Sequence, residues 1–372
     1  MGKFAGKIFI LCFALVSIFK PAKAQDACLQ SLNQASAEFD AGRFYSLPSL
    51  LNPCLESGFT REQKFRAYYL LAQAYLVLND PLGAEISYLK LLQIDPEFKP
   101  NAKNDPIDLV YLSRKFTARP KFTPHYKVGL NISFPTSIYE LSTFSSPQTS
   151  TSQILRIGFQ LGGGVDWNIT DKWSLGGELN FSIKSFATNV TGIAKNDLAT
   201  FIDKSNWLDV PIYIKYSYDS GRIRPFGYVG IAANLLLSSS ASLTLSDVSP
   251  SQGNISKIAE GQDIDLAYKR SFLNRSIIFG GGVKYKIGKN FIYADARYMV
   301  GLNNITLPDK NYYNQDGSLS TSLTQYQYSS DFFRLDNLFL SFGYVRPLYD
   351  PRKIKKISTK GIFKKLFRPK KK

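Results

Sequence analysis

The residues in this chain that could do chemistry are charged side chains set at every second position of apolar runs. Ten stand out: Arg156, Asp166, Glu178, Lys184, Asp209, Lys215, Lys284, Lys286, Asp295 and Arg297, six cations and four anions. In a wide interior they would form an ion pathway. In a narrow one they would pair and fill the space, because an unpaired buried charge is costly. Pairing is the expectation here. Nothing else offers a reaction. One histidine, His125, and three cysteines are a poor supply of zinc ligands. Gly162-Gly163-Gly164 and Gly280-Gly281-Gly282 have the glycine density of a phosphate loop. Neither carries the Lys-Ser/Thr pair or opens a helix, and glycine there suits sheet curvature. No catalytic, cofactor or metal residue is assigned; a carboxylate-only active site is the enzymatic option that is left.

The elements that must carry these charges are strands. Over 154–168, Leu155, Ile157, Phe159, Leu161, Val165 and Trp167 alternate with polar or small residues; over 172–184, Trp173, Leu175, Leu179, Phe181 and Ile183 do the same. A sustained period of two on both sides of a tight turn predicts a long β-hairpin. Each arm exceeds the usual strand length and reaches the roughly 9–11 residues that cross a bilayer on a tilt. A tryptophan stands on each arm beside the turn, where an interfacial aromatic girdle sits. Further strands are predicted at about 125–135, 206–219, 222–240, 274–287, 290–303 and 335–349, which makes eight. Short connections at 168–172, 219–222 and 287–290 alternate with long ones at 136–153, 189–205, 241–273 and 304–334. That is the pattern of a transmembrane barrel with short periplasmic turns, and an even count returns both barrel ends to the periplasm. Eight strands leave room inside for side chains and little else. Pro211 and Pro225 lack an amide donor and belong at strand starts, bulges or irregular rungs. Leu235-Leu236-Leu237 breaks the alternation.

Ahead of the barrel, Lys3, Lys7, an apolar run and Ala22-Lys23-Ala24 predict an export signal over 1–24. From 25 to 118 the period is helical: Leu29, Leu32, Ala35 and Phe39 make one stripe, and Leu47, Leu50, Leu51, Cys54 and Leu55 a second. Two more helices follow, at 61–78 and 81–94. Cys12 leaves with the signal, so Cys28 and Cys54 remain on consecutive antiparallel helices with adjacent ends. In an exported chain this predicts a disulfide in preference to two buried thiols. Tyr68, Leu71, Ala72 and Tyr75, followed by Ala84, Tyr88, Leu91 and Pro96, resemble a tetratricopeptide repeat, although Leu91 is larger than the family's usual residue. Pro48 interrupts the same pattern in the first helix pair, and 106–116 would cap the stack. The resemblance implies a groove for a peptide or partner protein; a spacer packed on the barrel mouth is the alternative.

Leu208-Asp209-Val210-Pro211, Lys215-Tyr216, and Arg224-Pro225-Phe226 through Gly230, with the later Gly280-Gly281-Gly282 strand, resemble PorT-like outer-membrane β-barrel proteins. That likeness implies an eight-stranded outer-membrane barrel and, for some members, a part in type IX protein secretion. It carries no functional residue over to this chain.

The formal charge of +17 is concentrated at the ends: the signal holds +4 and residues 352–372 hold +11, leaving +2 for the body. A nearly neutral body argues against a nucleic-acid partner. The basic tail interleaves Ile354, Ile357, Phe363, Leu366 and Phe367. It could lie on anionic lipid, bind an acidic partner, or remain a solvated extension. The predicted fold class is α plus β multidomain: a signal (1–24), a small periplasmic tetratricopeptide-like helical domain (25–118), an eight-stranded antiparallel transmembrane β-barrel (119–349) and a basic periplasmic tail (350–372). The expected function is a non-enzymatic outer-membrane barrel of a Gram-negative bacterium that anchors a protein-interaction module. A narrow channel for small solutes is the alternative. The expected partners are outer-membrane lipid and a periplasmic or envelope protein; no cofactor is expected, and the oligomeric state is left open.

Overall fold

The computed structural model describes residues 23–139, 150–191, 197–248, 255–260, 263–314, 316–319 and 330–354. The expected signal, except for its last two residues, and the cationic run after 354 lie outside the described residues. The chain forms two units: residues up to Arg119 together with those from Tyr349 onward, and Pro120–Leu348.

The first unit contains α1 (Lys23–Asp40), α2 (Leu47–Glu56), α3 (Arg61–Val77), α4 (Pro81–Ile94) and α5 (Ile107–Ser113). Its boundaries follow from capping chemistry. Thr60 and Gln63 form a reciprocal capping box at the start of α3, which satisfies two backbone donors. Asp80 accepts from the amides of Leu82 and Gly83, and Pro81 sits where its missing donor costs nothing. Gly42, at φ +77°, turns the chain after α1. Leu71 and Ala74 are buried in one core, with α1 and α2, and Ala72, Ala84, Tyr88 and Leu91 in a second, with α5. Cys28 and Cys54 are joined as a disulfide, with Cα atoms 5.6 Å apart. Two short strands complete the unit: β1 (Phe116–Thr117) pairs antiparallel with β13 (Arg352–Lys353).

The second unit contains β2 (Phe122–Tyr139), β3 (Ser150–Leu155), β4 (Ile157–Asn168), β5 (Trp173–Thr191), β6 (Asp197–Ser217), β7 (Ile223–Val248), β8 (Ile255–Glu260), β9 (Ile264–Asp265), β10 (Leu273–Ile287), β11 (Asn290–Gly301) and β12 (Phe332–Val345). Eight of them pair antiparallel in the order β2-β4-β5-β6-β7-β10-β11-β12, and β12 pairs with β2 from Val345↔His125 onward. Every member of this cycle therefore has two neighbours. The turns β4–β5, β6–β7 and β10–β11 are short, with Gly221 and Gly288 at positive φ in the last two. Both ends of the cycle lie at that same side, where Phe122 is paired with Trp167.

Several strands run past the expected limits. Together β5, β6 and β7 extend beyond the cycle, flanked by β3 on β5 and by β8 and β9 on β7. The leucine triplet that broke the alternation is a bulge: Leu236 is buried, Leu237 is 53% exposed, and the inward parity switches to Ser239, Ala241 and Leu243. At Pro211 the β5–β6 ladder skips two rungs, between Gly177↔Ile212 and Asn180↔Asp209, as its missing donor requires.

The cycle is polar inside and apolar outside. Leu130, Leu161, Leu179, Ile212, Ile231, Phe279, Ile292 and Leu340, one from each strand, are all about half exposed. Such a wall is stable against hydrocarbon rather than water. The glycine triplets have a more local reason than curvature. A Cβ on Gly164 would strike Glu178, and one on Gly280 would strike the Tyr228 ring, so these glycines clear space for inward side chains.

Candidate functional site

Alternation along β5 turns Glu178 inward, and Gly164, its partner on β4, leaves the room that its side chain needs. Its carboxylate is the centre of the interior. Arg297 on β11 grips it with two guanidinium nitrogens, at 2.8 and 2.9 Å. Lys127 on β2 donates at 2.6 Å, the Asn180 amide at 2.9 Å and the Tyr213 hydroxyl at 3.0 Å. His125 Nε2 lies 3.3 Å away. This is a charge-assisted network in which the bidentate arginine fixes geometry as well as charge.

Two further carboxylates are tied into it. Asp166 accepts from Lys215 at 2.5 Å and stands 3.0 Å from the Tyr213 hydroxyl. That hydroxyl has one proton for two carboxylate neighbours, so it couples Asp166 to Glu178. Asp295 accepts from Tyr228 at 2.5 Å, and the same phenol oxygen accepts from Arg297 at 2.9 Å. Three anions thus meet three cations, Lys127, Lys215 and Arg297, all buried. Aromatic rings pack between them: Tyr213, Phe226, Tyr228 and Tyr293 form one buried cluster with Ile278 and Phe339.

Smaller pairs lie on either side along the strands. Toward the long connections, Asp209 accepts from Lys184 at 3.0 Å, Ser182 at 2.7 Å and Asn234 at 2.5 Å, and Lys184 sits over the Trp207 ring. Farther on, Asp203 accepts from Arg270 at 2.7 Å. Toward the short turns, Lys284 reaches Asp219 at 3.3 Å.

Of the ten charges read from the sequence, seven are buried in these groups: Asp166, Glu178, Lys184, Asp209, Lys215, Asp295 and Arg297. Lys284 and Lys286 are only partly buried, near the last turn of β10. Arg156 is a correction. It lies exposed in the break between β3 and β4, where no ladder holds it, so strand parity does not fix its direction. The sequence reading missed His125 and Lys127, which belong to the inward set of β2, and Asp203 and Arg270, which sit in segments expected to be connections. Lys127 stands at the inward parity between Tyr126 and Val128, a signal that was present. Among the described residues no group of three or more His, Cys, Asp or Glu is placed to hold a metal ion.

A family model described as outer membrane protein beta-barrel domain matches residues 117–307. Among solved structures, the chain is similar to Neisserial surface protein A (NspA), at 11% identity over 61% of this chain and 97% of that one, with a TM-score of 0.29. It is also similar to outer membrane protein OprG from Pseudomonas aeruginosa, at 14% identity over 64% and 99% of the two chains, TM-score 0.31. A third is Ail, the attachment invasion locus protein of Yersinia pestis, at 12% identity over 60% and 99%, TM-score 0.26. No curated protein matches. The family match takes in just over half of the chain, including every residue bonded to Glu178, and with the apolar outer wall and polar interior it leads to one conclusion: this chain belongs to the outer membrane protein β-barrel domain family, whose setting is the outer membrane of Gram-negative bacteria.

Proposed function

We propose that the protein is a non-enzymatic anchor: its barrel is a wall in the membrane, and its helical unit is a periplasmic interaction module of tetratricopeptide-like build. The observation that carries this reading is the neutral, mutually bonded cluster around Glu178. Charges that satisfy one another in a space walled by aromatic rings leave little for a permeating ion to bind. The working surfaces are then the helical unit and the long connections. Both ends of the strand cycle lie beside the short turns, which supports a periplasmic side for the segments that follow them. The likeness of 208–230 to PorT-like proteins points to an accessory part in envelope assembly or protein secretion, with another envelope protein as partner.

Planar-bilayer recording of the purified protein should show no steady current. A stable conductance whose anion-to-cation preference shifts in Glu178→Gln would overturn the wall reading. Crosslinking in intact envelopes followed by mass spectrometry should recover partner peptides attached to residues 25–118; attachments confined to the long connections would refute the module. The channel alternative draws on one feature, a small cavity of about 10 Å³ bordered by Lys184, Trp207, Asn234 and Ser276, room for about one water. By strand register that space lies on the long-connection side of Glu178.

A further inference from the structure

The helical unit is completed by the far end of the chain. Phe116 of β1 is buried with Tyr88, Leu109 and Leu112, so β1 is fixed to the helical core, and its open edge is covered by β13. The covering is specific. Ile354 donates its amide to the Lys115 carbonyl at 2.7 Å. Lys353 reaches Glu85 at 2.6 Å, on the carboxylate that Lys115 also approaches at 3.4 Å. The Tyr349 hydroxyl donates to Glu97 at 2.7 Å. These contacts involve α4, the segment just after it, and Lys115, the residue before β1.

The strap arrives by a constrained route. β12 pairs with β2, the last strand of the cycle with the first, and the pairing continues through Arg346 to Pro124 at 3.0 Å and Leu348 to Phe122 at 3.1 Å. The register of β13 on β1 differs from the register of β12 on β2 by a single residue. The same two segments therefore travel side by side through both ladders.

We propose that this strap makes completion of the helical unit conditional on closure of the strand cycle. Before β12 meets β2, β1 and β13 are separated by more than 230 residues of chain. After closure, only about ten residues intervene between the two ladders, counting both segments. Loop-closure scaling favours the short loop by roughly a hundredfold. A two-residue strand pair has too few bonds to offset the long loop, so it forms after the cycle does. The interaction module is then finished only on chains whose barrel is complete, which ties exposure of a working partner surface to successful insertion.

The test uses the full chain with Thr117→Cys and Arg352→Cys, a facing pair, refolded from urea with and without detergent micelles. A short thiol crosslinker, read by mass mapping, reports the strap, and heat-modifiable mobility reports the barrel. The 117–352 crosslink should rise in step with the folded barrel and remain at least about tenfold lower without micelles. Equal yields in the two conditions, or a crosslink that precedes the mobility change, would overturn the proposal. A second chain, Lys353→Glu with Ile354→Pro, leaves the cycle untouched. Amide exchange over 107–118 should accelerate at least about tenfold in it while barrel amides keep their protection; unchanged exchange there would equally sink the idea. Neither readout depends on whether the lumen conducts or on what the helical unit binds.

Discussion

The two units of this chain solve the same problem with opposite materials. In the helical unit Leu71, Ala72, Ala84 and Leu91 are buried, and the disulfide lies beside that core. In the barrel Glu178, Arg297, Lys127 and Asp166 are buried, while Leu130, Leu179 and Ile231 face outward. The difference is one of solvent. Against water, an apolar core gains from leaving the solvent and polar groups are satisfied outside. Against hydrocarbon the outer wall gains little from polarity, and the interior must satisfy whatever polar groups it contains. A hydrophobic count alone would have treated both units alike; the period of the pattern, and which parity carries the charges, separates them.

The contrast can be broken most forcefully at its polar centre. Glu178→Gln removes the charge that faces Arg297 and Lys127 and should cost the barrel about 3–5 kcal/mol, measured by urea unfolding in lipid vesicles. A loss below about 1 kcal/mol would mean that the lumen is solvated and the cluster is not a core. The outer faces sharpen the comparison next. Leu179→Arg, on the lipid side of β5, should destabilise by about 2–4 kcal/mol, whereas Leu82→Arg, on the exposed face of α4, should stay within about 0.5 kcal/mol. Equal costs at the two sites would contradict the assignment of solvents.

Reduction of the Cys28–Cys54 bridge acts on one unit only. It spans 26 residues, so its loss should cost the helical transition about 3 kcal/mol and leave barrel mobility unchanged. The smallest expected effect is electrostatic. The hydrogen bond from Lys353 holds the Glu85 carboxyl below its ordinary range; Lys115 acts the same way, and partial burial opposes both. Because the folded value lies below the unfolded one, this contribution is present above about pH 4.3 and fades as the pH falls through the folded value. The protection of amides around 349–354, taken relative to intrinsic exchange at each pH, should therefore fall under acid in the native chain and change less in Glu85→Gln.

Much of the barrel was legible because alternation is a backbone property: inward parity at Asp166, Glu178, Lys215 and Arg297 follows from strand geometry alone. Arg156 was misread because parity lapses where a residue leaves the ladder. Asp203 escaped because β6 begins at Asp197, well before its expected start at 206, and Arg270 because it lies outside the strands, in an isolated bridge to Thr306. Which carboxylate serves as the centre was not legible, since it depends on the neighbours that cross-strand register brings to Glu178. The helical boundaries were plainer, because Thr60, Asp80 and Pro81 announce them locally.

The length of β7 has a consequence for what its far end can sense. Its 26 residues span roughly 85 Å along the strand, and at a tilt near 40° that is a rise of about 65 Å, well over twice the apolar band of about 25 Å. Starting from a short turn beside one interface, the strand carries its other end some 30 Å or more clear of the opposite headgroups. The Debye length at physiological ionic strength is about 8 Å. The tip of the β5–β6–β7 extension therefore stands several screening lengths from the lipid charge, and whatever meets it there does so in the potential of the protein and the bulk salt, not that of the membrane.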